Sequence, residues 1–167
     1  MNYIIDILII LLLFVGFGIS HSILASNKIK EQIVEKVGNK IAFYRLFYNL
    51  SSLIIFFALY EIAPKPRLIV YDLPNPYDLI IFGLQVLSLF GLIWSVLPVD
   101  MKEFTGINQI SRWLKGTYNP EELDEHKTFI VKGAFKYSRH PIYFFTILFL
   151  ALRPTMTLFY LTMFLCI

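Results

Sequence analysis

GAFKYSRHPIY, Gly133–Tyr143, is the sharpest polar-to-apolar junction in the chain. Lys132, Lys136, Arg139 and His140 precede Pro141, and an apolar run from Ile142 to Leu152 follows. Basic residues abutting an apolar helix mark the cytoplasmic boundary of a membrane segment. Proline at the first helical position forfeits no hydrogen bond, because an N–H there would have no partner. The spacing therefore starts a helix at Pro141 and leaves the donors of Arg139 and His140 at its mouth, where they can meet an anion. Tyr143, three residues after His140, returns to the same side. A plainer reading of the same residues is a positive-inside anchor with an interfacial tyrosine.

Composition agrees with a membrane setting. The chain has 167 residues, 57% of them hydrophobic and 17% aromatic, with a mean hydropathy of +0.64, well above the roughly 45–50% apolar usage of soluble domains. The length allows one helical bundle, a single domain over residues 1–167. A net charge of +3 lies in loops between apolar segments, so it reads as topological and no nucleic-acid partner is expected. The single cysteine, Cys166, excludes an internal disulfide. His21, His126 and His140 show no metal-ligand spacing, and no metal is expected.

Upstream, Tyr3–Ser20 is almost purely apolar and about long enough to span, since roughly 20 residues are needed. A signal peptide is the rival reading, but the start carries Asp6 and no basic residues, and no small-residue cleavage site precedes His21. A polar loop opens at His21-Ser22. A short helix capped by Ser26 or Asn27 then runs to Val37, with Gly38 as its stop. Its stripe of Ile29, Ile33, Val34 and Val37 lays it on the membrane surface. His21 by itself reads as a hydrogen-bonded interfacial histidine. Ile41–Ile62 is the second span. Arg45, Tyr48, Asn49 and Ser52 share one of its faces. Either they bond to neighbouring helices and the interface or they form the polar wall of a site, and both readings stand.

Pro64, Pro66, Pro74 and Pro76 mark a turn-rich loop before the third span, Tyr77–Leu97. Ser88, Gly91 and Ser95 on one face of that span permit close helix packing, and Trp94 suits an interface. In the long polar loop that follows, Met101, Phe104, Ile107, Ile110 and Leu114 recur every three or four residues, an interfacial amphipathic segment weakened by Gly106. Glu121, Glu122, Asp124 and Glu125 read as a solvated acidic face without chemistry. The apolar run Pro141–Leu152 has 12 residues, reaching about 18 Å against a bilayer core of about 30 Å. Arg153-Pro154 then interrupts it. Leu158–Ile167 adds ten more residues, too few for a span, so the sequence is expected to be a piece of a longer chain cut within its last helix.

These strings together carry a resemblance. Gly133-x-Phe135 followed by Arg139-His140-Pro141-x-Tyr143 resembles the cofactor motif of the integral-membrane methyltransferases that use S-adenosylmethionine, the isoprenylcysteine carboxyl methyltransferase-like family. The segments His21–Ser26 (HSILAS), Asp100–Gln109 (DMKEFTGINQ) and Pro154–Thr157 (PTMT) are similar to its methanethiol S-methyltransferase branch. The resemblance implies an all-α polytopic membrane bundle of about five transmembrane helices, with the last two forming a hairpin that turns at Pro154. It implies S-adenosylmethionine as cofactor, held by His140, Pro141, Ile142 and Tyr143 at the mouth. It also implies contacts from Phe135, which stands where the family more often has tyrosine, and from Lys127, Thr128, Phe129, Ile130 and Gln109. Arg139 is expected to steer an anion or to hold structure, and no general base is assigned, although His21 is available to take a proton. The family's second motif, with paired glutamates and an arginine, has no counterpart here.

The function so implied is methyl transfer to a small thiol. The alternatives are a prenylated cysteine carboxylate or another lipophilic acceptor, or a non-catalytic accessory protein. Basic residues give the expected orientation. Lys28, Lys30, Lys36, Lys40 and Arg45 fall on one side with Lys102, Arg112, Lys115, Lys127, Lys132, Lys136 and Arg139, whereas Lys65, Arg67 and Arg153 fall on the other. The richer side is cytoplasmic. This places the N-terminus outside and the RHPIY mouth inside, in what is expected to be a bacterial plasma membrane.

Overall fold

Three stretches are long and apolar enough to cross a bilayer, and all three are helical in the computed structural model, which describes residues 2–123 and 131–166. In chain order the helices are α1 (Tyr3–Ala25), α2 (Asn27–Val37), a 3-10 turn (Gly38–Phe43) and α3 (Tyr44–Ile62). Strand β1 (Ile69–Asp72) follows, then α4 (Tyr77–Val96), α5 (Met101–Thr105), α6 (Ile107–Leu114) and 3-10 turns at Pro120–Glu122 and Gly133–Lys136. The last elements are α7 (Pro141–Ala151), β2 (Thr155–Thr157) and α8 (Leu158–Leu165). The fold is mostly helical, at 75%. Along the spans the large apolar side chains face outward, Leu12 at 76% and Leu87 at 67% exposure among them. So much exposed apolar surface on closed, internally bonded helices suits a lipid surround.

Backbone contacts gather the chain into two units, the first from Met1–Leu12, Pro64–Val99 and Phe129–Ile167, the second from Leu13–Ala63 and Asp100–Thr128. In the first unit α7 lies along α4. The small face expected on α4 makes this possible: Ser88 and Ser95 are buried, and their hydroxyls donate back to Leu84 O (2.9 Å) and Gly91 O (2.8 Å), so the face offers neither bulk nor an open polar group. Gln85 Nε2 donates to Phe149 O at 3.0 Å and fixes the two helices along their length. Instead of passing straight from one helix to the next at Pro154, the chain pairs β2 with β1, antiparallel, with Tyr71 opposite Met156 and Asp72 opposite Thr155. Thr155 Oγ1 donates to Asp72 Oδ1 at 2.6 Å, and Tyr71 OH donates to Arg153 O at 3.2 Å. No strand is expected from the sequence. The β-branched and aromatic run Ile69-Val70-Tyr71 is the signal, masked by the prolines on either side.

In the second unit α1 continues through His21 to Ala25, where the sequence suggests a loop. No proline or glycine stops it after Gly18, and the His21 side chain finds partners on α3. Ser26 does stand at the N-cap of α2, but its hydroxyl donates to Ile23 O at 2.6 Å and does not cap. Gly38, at φ +57, ends α2 as expected. The amphipathic segment is two helices broken at Gly106, and its Met101, Phe104, Ile107 and Leu114 are exposed, an apolar face turned outward as an interfacial segment needs.

Candidate functional site

The mouth is built by two breaks in the backbone. Gly133 takes φ +57, and a Cβ there would stand 2.9 Å from Pro98 Cγ. Only glycine lets the Gly133–Lys136 turn sit so close over the end of α4. Ser138 Oγ then accepts from His140 N at 3.2 Å, His140 stands at the N-cap of α7, and Pro141 opens the helix, fully buried. Arg139 and His140 are exposed, and the His140 and Tyr143 rings lie 5.9 Å apart. Helical return from His140 to Tyr143 is thus realised, with Tyr143 70% exposed. Ile142 is half-buried, and Phe135, one turn upstream, is half-buried beside the buried Ala134.

Beneath this mouth lies a cavity of about 300 Å³. Trp94 of α4 and Phe144 and Phe145 of α7 form its walls. Ala134, Tyr137, Ser138 and Pro141 close it from the mouth side, and the Trp94 and Tyr137 rings lie 6.0 Å apart. Of the described residues expected to hold a cofactor, only Pro141 lines it, while His140, Ile142, Tyr143 and Phe135 lie at the mouth without lining the cavity. Lys127, Thr128, Phe129 and Ile130 lie outside the described residues. Sequence reasoning singles out Trp94 only as an interfacial ring and passes over Tyr137, Ser138, Phe144 and Phe145. The available signal is Gly91, whose spacing with Ser88 and Ser95 announces a helix packed tightly enough to frame a pocket.

Gln109 belongs to the second unit, where it is fully buried. Its Nε2 donates to Glu103 O at 3.0 Å and to Glu103 Oε1 at 3.2 Å, while Arg112 grips the same carboxylate with both terminal nitrogens, at 2.8 and 2.9 Å. Asp100 caps α5 by accepting from Lys102 N and Glu103 N, and it receives Asn108 Nδ2 at 3.2 Å. The stretch Asp100–Arg112 is therefore tied to itself by its own polar side chains. The polar face of α3 meets it: Asn49 Nδ2 donates to Phe104 O at 2.9 Å and Arg45 Nη1 to Glu103 O at 3.4 Å, satisfying carbonyls at the end of α5. The other half of that face holds His21, with Nδ1 at 3.0 Å from Ser52 Oγ, Nε2 at 2.7 Å from Tyr48 OH, and the imidazole stacked on the Tyr48 ring at 4.8 Å. Of the two readings open for this face, bonding to neighbouring elements is the one observed.

No family model, no curated protein and no solved structure matches the chain. Its function is therefore argued from these residues alone.

Proposed function

We propose that the protein is an integral-membrane methyltransferase that passes a methyl group from S-adenosylmethionine to a small thiol. The observation that carries the reading is the RHPIY mouth, with its exposed cation, imidazole and phenol, set directly over an aromatic-walled apolar cavity. The residues fit the donor's chemistry. Arg139 and His140 offer hydrogen bonds to a carboxylate, and the exposed ring of Tyr143 offers its face to a soft cation. When bound, S-adenosylmethionine supplies a methyl group on an electrophilic sulfonium. The chain's own part is to hold both partners in line, worth about 7–11 kcal/mol when orientation is complete, and to keep water from the reacting atoms. Phe135, Ile142 and Tyr143 complete the donor's surround in this reading.

The same reading takes α1, α3 and α4 as full spans, with α7 and α8 as the fourth and fifth membrane helices, joined as a hairpin through β2. It sets the mouth in the cytoplasm of a bacterial cell, where the methyl donor is made. The test uses the full chain in membranes, with methyl-labelled S-adenosylmethionine and either methanethiol or a prenylated cysteine acid as acceptor. Label is expected in the thiol. Label in the prenylated acid instead moves the assignment to the lipophilic acceptor, and label in neither, with no donor binding, overturns the enzyme reading in favour of an accessory role. His140→Ala and Tyr143→Ala are expected to raise the KM for the donor about tenfold each, the size of one lost hydrogen bond or ring contact near 1.4 kcal/mol.

A further inference from the structure

We infer that the cavity under the Gly133–Pro141 turn is a binding site for one small, uncharged, apolar molecule, and that Phe145, seated on Gly91, sets the largest guest it admits. A Cβ on Gly91 would lie 2.3 Å from Phe145 Cε1 and 2.4 Å from Cδ1, so the ring already occupies the space that any other residue's side chain would need. The same ring lines the cavity. It cannot retreat from a guest, because the α4 backbone stands directly behind it. The opposite wall is fixed too: Gly133 packs on Pro98, and its Cβ position lies 3.8 Å from Trp94 Nε1. The Phe145 and Trp94 walls are thus preformed, while Tyr137, 83% exposed, and Phe144, 55% exposed, leave the cavity open on their side.

The lining decides the guest's chemistry. Among the described residues no charged side chain lines the cavity, and the only lining side chains that carry a polar atom are those of Ser138, Tyr137 and Trp94. Ser138 already accepts from the His140 amide. An ion entering here would lose its water without finding a counter-charge. The volume of about 300 Å³ is roughly twice the 150 Å³ that holds a benzene in an engineered apolar cavity. One ring or two fused rings, or a thiol of similar bulk, fit. Assigning that guest as the methyl acceptor rests on the function proposed above, but the binding and its size limit do not.

The test is therefore a binding measurement without any methyl donor. The chain has two tryptophans, so Trp113→Phe leaves Trp94 as the sole emitter, placed in the cavity wall. In detergent micelles, iodobenzene is expected to quench Trp94 along a saturating curve above the linear collisional background, and the three-ring 9-iodophenanthrene to give the linear background only. Phe145→Ala is expected to let 9-iodophenanthrene saturate. Gly91→Ala, by driving the ring inward, is expected to raise the iodobenzene half-saturation at least tenfold. If Gly91→Ala does not fold, Phe145→Ala and Phe145→Leu carry the test. Linear quenching by both probes overturns the site, and so does a size preference that Phe145→Ala leaves unchanged. Saturating quenching of Trp94 by lipids brominated in the acyl chain, with no displacement by iodobenzene, also overturns it, because the space would then be a lipid-filled groove.

Discussion

At Gly106 the backbone takes φ +97, and a Cβ would lie 2.7 Å from Leu46 N, so the break between α5 and α6 depends on one missing carbon. Gly106→Ala should cost ~1–3 kcal/mol from the strained φ alone, read as a lower thermal unfolding midpoint in detergent. The sequence marks this glycine only as a weakness in an amphipathic stripe. Its need for a left-handed backbone pressed against α3 belongs to tertiary contact and leaves no local trace. His21 is the contrasting case, legible as an interfacial, hydrogen-bonded residue. Both its ring nitrogens are engaged with Tyr48 and Ser52, which suits a clamp between α1 and α3 better than a proton acceptor for catalysis. His21→Ala should lower stability by about 1 kcal/mol and reduce methyl transfer only in proportion to the folded fraction. A far larger loss of kcat in fully folded protein would instead assign it the part of a base.

Between elements, Glu103 makes a polar tie across the Gly106 break, with Arg112 forked on its carboxylate and Gln109 bonded beneath. Arg112 and Glu103 are 26% and 15% exposed at their side chains, so water screens the pair incompletely. Glu103→Gln should weaken α5–α6 by about 1.5–3 kcal/mol. The expected readout is faster proteolytic cleavage after Lys102 or Lys115 while α4 and α7 stay protected. Helix existence was readable here from period and punctuation: the starts at Tyr77 and Pro141 and the stop at Gly38. What the helices bond to was not. The polar face Arg45–Ser52 is plain in the sequence, but its partners, the α5 carbonyls and His21, lie tens of residues away. The β1–β2 pair escaped for the same reason, since each strand is only three or four residues long and carries no alternation to detect.

For the whole molecule, the exposed apolar spans and the uneven spread of lysine and arginine make one orientation testable. In a Cys166→Ser background, a membrane-impermeant maleimide applied to intact cells should label Asn75→Cys and leave Ser138→Cys unlabelled until the cells are opened. The reverse pattern would put the mouth outside and away from the methyl donor proposed for it. The division into two units was not visible in the sequence, because both recruit segments from distant parts of the chain and α1 contributes to each. That interleaving has a temporal side at β1 and β2. Asp72 and Thr155, joined side chain to side chain, are 83 positions apart. At about 5–20 residues per second a ribosome takes roughly 4–17 s to deliver the second strand after the first. Throughout that interval the nascent Ile69–Asp72 segment has its ladder groups unmatched, open to mispairing with any other extended chain at the insertion site.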